Sequence, residues 1–170
     1  MYEAEQIAKV IIWYCGQKGY SVSNHKLQAM LYFVQADFIA NTSRSCYREH
    51  LEAWSIGPVV PCVYRKYRMF GDGEIPDKGC EDSIKMIRLQ DRRRIMRIVD
   101  KCSVYCSSTL NKLARRQRPW TKAYGHGGGT ITTSSIMAYF NKRVSPSLRA
   151  AGWINRSERR KNAGQYNDDT

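Results

Sequence analysis

No apolar run in the 170-residue chain approaches the roughly 18 residues that a membrane-spanning helix needs. The opening Met1-Tyr2-Glu3-Ala4-Glu5 also lacks the basic flank and apolar stretch of a signal peptide. The expectation is a cytoplasmic protein without a membrane partner. Cys-x-x-Cys pairs are absent as well. The six cysteines, at positions 15, 46, 62, 80, 102 and 106, are scattered along a chain long enough to bury a core without covalent staples, so reduced thiols are expected. Cys102 and Cys106 are four apart but have no histidine nearby, which makes a poor zinc site, and no metal or other cofactor is expected. Acidic residues are scarce where basic ones are dense. Residues 1–87 hold ten basic and ten acidic side chains, whereas residues 88–170 hold eighteen against five and carry the whole formal charge of +13. A clustered positive field of this kind fits a polyanionic partner, either nucleic acid or an acidic protein face, or is simply a solvated surface.

Catalytic groups are also missing. His25, His50 and His126 stand in three unrelated contexts, and none has a cysteine, serine or carboxylate neighbour in a recognised arrangement. The run Gly125-His126-Gly127-Gly128-Gly129 has no Lys-Ser/Thr after it and no strand before it, so it reads as a flexible inter-helix turn rather than a phosphate loop. No enzymatic activity is expected.

Helical periodicity is abundant. Ile7, Val10, Ile11 and Tyr14 mark a first helix that stops at Lys18-Gly19, and Ser23 can cap a second in which Leu27, Met30, Leu31, Val34 and Phe38 recur. Tyr32, Phe33 and Ala36 widen that second stripe so far that this helix is expected at the centre of the fold. The period lapses at residues 47–56, read as a short extended segment or strand. Pro58 and Pro61 are both placed near the start of a short helix, and Gly71 to Asp82 is read as a loop. A helix at about 89–105 buries Ile95, Ile98, Val99 and Cys102. At about 100° per residue, Arg93, Arg97 and Lys101 fall on its opposite side with Arg94 close by. Ser107 or Ser108 can cap the next helix, which ends in Arg115, Arg116 and Arg118; Pro119 starts one more turn, and Thr132 or Thr133 caps a last helix with Ile136, Tyr139 and Phe140. The fold class is therefore mainly α: a compact single-domain bundle of about six or seven helices over residues 1–143, followed by a polar, basic, loosely held tail at 144–170.

Three stretches together resemble a known family. Ser23-Asn24-His25-Lys26-Leu27-Gln28-Ala29-Met30-Leu31-Tyr32-Phe33-Val34-Gln35-Ala36, then Glu52-Ala53-Trp54-Ser55-Ile56-Gly57-Pro58-Val59-Val60-Pro61-Cys62-Val63-Tyr64-Arg65-Lys66-Tyr67, then Pro119-Trp120-Thr121-Lys122-Ala123-Tyr124 are similar in order and spacing to the Panacea domain, the SocA-like antitoxin family. The resemblance covers roughly residues 2–142. It implies a mainly helical, non-enzymatic protein of bacteria and their prophages that neutralises a cognate toxin by direct binding, or as an adaptor delivering it to a Clp protease. The matching residues Lys26, Leu27, Gln28, Tyr32, Trp54, Gly57, Pro58, Pro61, Tyr64, Tyr67, Trp120 and Tyr124 either build the scaffold or frame a partner groove. The basic set Arg93, Arg94, Arg97, Lys101, Arg115, Arg116 and Arg118 is the candidate partner-selecting surface. Its partner would be a toxin, a host defence protein bound by a phage-encoded inhibitor, or a nucleic acid.

Overall fold

The computed structural model describes residues 1–77, 81–125 and 127–142. The readings of His126, Cys80 and the tail at 144–170 lie outside the described residues. Among those described are eight α-helices, a 3-10 turn at Arg68–Phe70 and a three-stranded sheet. The mainly helical expectation holds, with one helix more than counted from periodicity. None of the helices is long and apolar enough to cross a membrane.

Helix α1 (Ala4–Lys18) starts in a reciprocal cap, in which Glu3 accepts from the Gln6 amide and the Gln6 side chain accepts from the Glu3 amide. It ends at Gly19, whose φ of 67° lets its amide close on Cys15 and Gly16 carbonyls. Helix α2 (Asn24–Thr42) begins where the Ser23 hydroxyl accepts from the Lys26 amide, as expected. Sixteen of its residues are buried, so it is the axle of the fold. A helix buried on all sides loses the amphipathic contrast of a surface helix, which explains the width of its apolar stripe.

Strand β1 (Leu51–Trp54) pairs antiparallel with β2 (Gly57–Val59) and with β3 (Thr130–Ile131), in the order β2-β1-β3. The register sets Trp54 opposite Gly57, Ala53 opposite Pro58 and Leu51 opposite Ile131. The extended segment is thus the middle strand of a sheet whose other members were not foreseen. Pro58 belongs to edge strand β2, not to a helix start; an edge strand tolerates a missing amide hydrogen. Pro61 does open α3 (Pro61–Tyr67). The expected loop at 71–82 loses its last two residues to α4 (Glu81–Lys85), and Ile84 and Ile87 are buried. Five residues are too few to show a helical period.

Helices α5 (Leu89–Ser103) and α6 (Ser107–Arg115) wrap α2 from two sides. Ile95, Ile98, Val99 and Cys102 are buried as expected. Arg94 contacts Asp37 near one end of α2, and the Lys26 amine reaches the Ser103 carbonyl near the other, so α5 runs antiparallel to α2. Asn111 then meets His25 and Gln117 meets Tyr32, so the chain returns parallel to it. Helix α7 (Arg118–Gly125) leads towards Gly127, Gly128 and Gly129, which are held by backbone hydrogen bonds. The amides of Gly127 and Gly128 donate to Tyr124, and the Gly129 carbonyl accepts from Ala53 of β1. Helix α8 (Thr133–Lys142) follows, with Thr132 capping through the Ser135 amide.

The N-cap of α6 is Cys106, not Ser107 or Ser108. Its thiol lies 3.2 Å from the hydroxyls of both Ser108 and Thr109, and these hydrogen bonds bring it down to about 7. Cys15 and Cys102, by contrast, are buried and pushed up. In a Cys80→Ser background, iodoacetamide should therefore modify Cys106 first. The rate should rise with pH through about 7 and level off once the thiolate dominates. Mass mapping of the modified peptide checks this, and Cys106→Ser should remove the fast phase.

Candidate partner-binding surface

The residues that carry the resemblance read from sequence divide by burial. Lys26, Leu27, Gln28, Tyr32, Gly57, Pro58, Tyr67 and Trp120 are buried, whereas Trp54, Pro61 and Tyr64 are half-buried and Tyr124 is exposed. Within the buried group Gln28 and Tyr32 find hydrogen-bond partners on backbone and side chains, whereas Trp120 Nε1 is buried without one. Gln28 Oε1 accepts from the Val60 amide at 2.9 Å, and its Nε2 donates to Asn24 Oδ1 at 3.0 Å. Asn24 Nδ2 in turn donates to the Tyr64 carbonyl at 3.0 Å. One helical turn of α2 therefore holds both ends of the segment from β2 into α3. Tyr32 donates to Gln117 Oε1 at 2.6 Å, and burial raises its phenol well above the ordinary range. Buried amides satisfied in this way specify geometry, because each mismatch strands a donor in a dry interior.

The half-buried group forms one face. Trp54 and Tyr64 meet edge to face with ring centroids 5.1 Å apart, and the His25 ring stacks on Tyr64 at 6.1 Å. Alternation along β1 turns Leu51 and Ala53 inward and leaves Glu52 and Trp54 on the opposite side, where Trp54 Nε1 donates to Glu52 at 2.7 Å. His25 Nδ1 lies 3.0 Å from Asp72. Below the rings, Asn111 Nδ2 donates to the carbonyls of His25 and Ser107. Arg115 Nη1 donates to the Ser55 carbonyl at the hairpin tip, at 3.1 Å. All three aromatic residues are thus pinned through their own or adjacent backbone. His25 reads from sequence as an ordinary surface or core-edge histidine. Asn24 and Asn111 carry no sequence signal beyond their i, i+4 spacing to Gln28 and Ser107.

The basic set does not form one uniform stripe. Arg93, Arg115, Arg116 and Arg118 are exposed, while Arg97 and Lys101 are half-buried on α5. Arg94 turns into the molecule, with Nη1 2.8 Å from Asp37 Oδ2 and its guanidinium 5.8 Å from the Phe38 ring centroid. Arg44 lies on the same ring at 5.0 Å and pairs with buried Asp91, which also accepts from the Tyr2 hydroxyl. Two ion pairs thus clasp α2, Phe38 between them, to α5. At about 100° per residue Arg94 falls at the margin of the solvent side of α5, and Asp37 draws it inward.

Among the described residues no group of three or more His, Cys, Asp or Glu side chains is placed to hold a metal ion. This face combines aromatic area held at fixed orientation with a guanidinium donor beside it. No family model matches the chain, and no solved structure matches it. It is similar to "Antitoxin SocA" of Caulobacter vibrioides (strain NA1000 / CB15N), with 29% identity over 82 residues that span 48% of this chain but only 44% of that relative.

Proposed function

We infer that this chain is an antitoxin that neutralises a protein toxin in the cytoplasm by binding it directly. The observation that carries the reading is the similarity to Antitoxin SocA. The residues that carry the resemblance support it, since they supply buried scaffold positions and part of one aromatic face. Direct binding is preferred to delivery of the toxin to a Clp protease, because rigidly held aromatic and guanidinium groups suit a stable interface.

Co-expression with the product of the adjacent gene tests the reading. The expected result is restored growth in cells making that product, with the two proteins co-purifying. Rescue that persists in a strain lacking Clp protease identifies direct neutralisation, and rescue lost there identifies an adaptor. A gel-shift salt series addresses the exposed Arg93, Arg115, Arg116 and Arg118 as phosphate ligands, since phosphate contacts require affinity that falls steeply with salt. Strong salt-sensitive shifts with no toxin complex would replace this reading with a nucleic-acid-binding one.

A further inference from the structure

We propose that the face formed by Trp54, Tyr64 and His25, bordered by Arg115 and Lys112, is the docking site for an acidic segment of a protein partner. The inference rests on the direct-binding reading and assigns that binding to one place on the molecule. Trp54 and Tyr64 are large aromatics that the fold leaves half-buried although forty of the described apolar side chains are buried. They are not loosely held. The Trp54 ring is fixed by its bond to Glu52, and Tyr64 is fixed at its carbonyl by Asn24 and at its ring by Trp54 and His25. A surface ordered before binding loses little conformational entropy when a partner arrives.

Charge selects the occupant. Glu52 and Asp72 also border this face, Glu52 accepting from the Trp54 indole and the exposed Asp72 lying 3.0 Å from His25 Nδ1, so an acidic segment is received on the α6 side, away from them. Arg115 is exposed and donates one hydrogen bond to Ser55, leaving most of its five N–H donors for a ligand. Lys112 is exposed three residues earlier, on the same side of α6. Among the described residues neither cation is paired with a carboxylate. A partner segment with a carboxylate for the Arg115 fork and an apolar side chain for the Trp54–Tyr64 rings answers both features. Arg93, on α5 beside the inward-turned Arg94, lies at the other end of α2 and is outside the site.

Two arms test the proposal. In the first, the complex with the adjacent gene's product is titrated by calorimetry for the wild type, Trp54→Ala, Arg115→Glu and Arg93→Glu. Trp54→Ala and Arg115→Glu should each weaken binding by at least about tenfold, whereas Arg93→Glu should leave it within about twofold. Circular dichroism confirms folding, and Arg115→Glu, an exposed substitution, keeps the test decisive if Trp54→Ala unfolds. A complex that ignores both changes would refute the site while leaving direct binding intact.

The second arm needs no toxin. A displayed library of short random peptides is selected on the wild-type protein. Enriched sequences should combine Asp or Glu with an aromatic or aliphatic residue, and should be lost on Arg115→Glu but retained on Arg93→Glu. Absence of enrichment, or enrichment insensitive to Arg115, overturns the proposal. So does a fluorescent single-stranded oligonucleotide that binds in a Trp54- and Arg115-dependent manner, which would make the face a base-stacking site.

Discussion

Gly57→Ala is expected to lower the unfolding free energy by about 3 kcal/mol, the sum of a backbone and a contact effect that each fall in a range of about 1–3 kcal/mol. Gly57 has a φ of 137°, a conformation that a side chain strongly disfavours. An added Cβ would also stand 2.6 Å from Asn111 Oδ1. Asn111 cannot retreat without cost, because its other amide atom holds the carbonyls of His25 and Ser107. The substitution therefore strains the hairpin and loosens the aromatic face together. A melt should show Tm lowered by roughly 6–12 °C for a chain of this size. Gly57→Ala combined with Asn111→Gly relieves the overlap but not the φ strain and removes the Asn111 hydrogen bonds, so it should not return to wild type. A loss below about 1 kcal/mol for the single change would show that the hairpin is not held at this backbone angle.

Asp37→Ala should cost a similar amount. Asp37 is 6% exposed and accepts from Arg94 at 2.8 Å and from Asn41 at 2.9 Å. Removing it leaves the Arg94 guanidinium, itself only 24% exposed, against the α2–α5 seam without a counter-charge. Breaking one side of a buried pair costs about 3–5 kcal/mol, and the part of Arg94 that still touches water places this case near the lower end. Arg93→Ala, one residue away and exposed, should stay within about 0.5 kcal/mol. Urea titrations of both variants give the contrast directly. Adding Arg94→Met to Asp37→Ala should recover part of the loss, because the uncompensated charge goes with it. Equal stability of the Asp37→Ala and Arg93→Ala proteins would show that α5 is held to α2 by its apolar stripe alone.

What could be read in advance follows from the kind of signal each feature leaves. Ile7, Val10 and Ile11 repeat at helical spacing, and so do Ile95, Ile98 and Val99, so burial could be assigned from the period. The excess width of the stripe around Leu27 and Tyr32 marked α2 as central for the same reason. Helix α4 escaped because five residues make barely more than one turn. Strand β3 escaped because two residues show no alternation, and only the partner strand gives Thr130 and Ile131 an extended role. The inward turn of Arg94 depends on Asp37, fifty-seven residues away, and no local pattern records such a pairing. The site was half legible. Trp54, Tyr64 and Arg115 stand out by residue type, but their meeting with His25 depends on the amides of Asn24 and Asn111, whose contribution lies in hydrogen bonds that composition does not reveal.

The sheet has a consequence for the manner of recognition. One outer strand, β2, is buried beneath α2 and α6, with Pro58 at its middle, and the other, β3, is two residues long. Neither rim offers a row of open amides and carbonyls onto which a foreign strand could zip. Recognition at this sheet would therefore run through side chains, which can be exchanged at the surface while the strand pairing beneath stays the same. A scaffold closed to strand addition can thus change its specificity by point substitution, one binding face at a time, without remodelling its backbone.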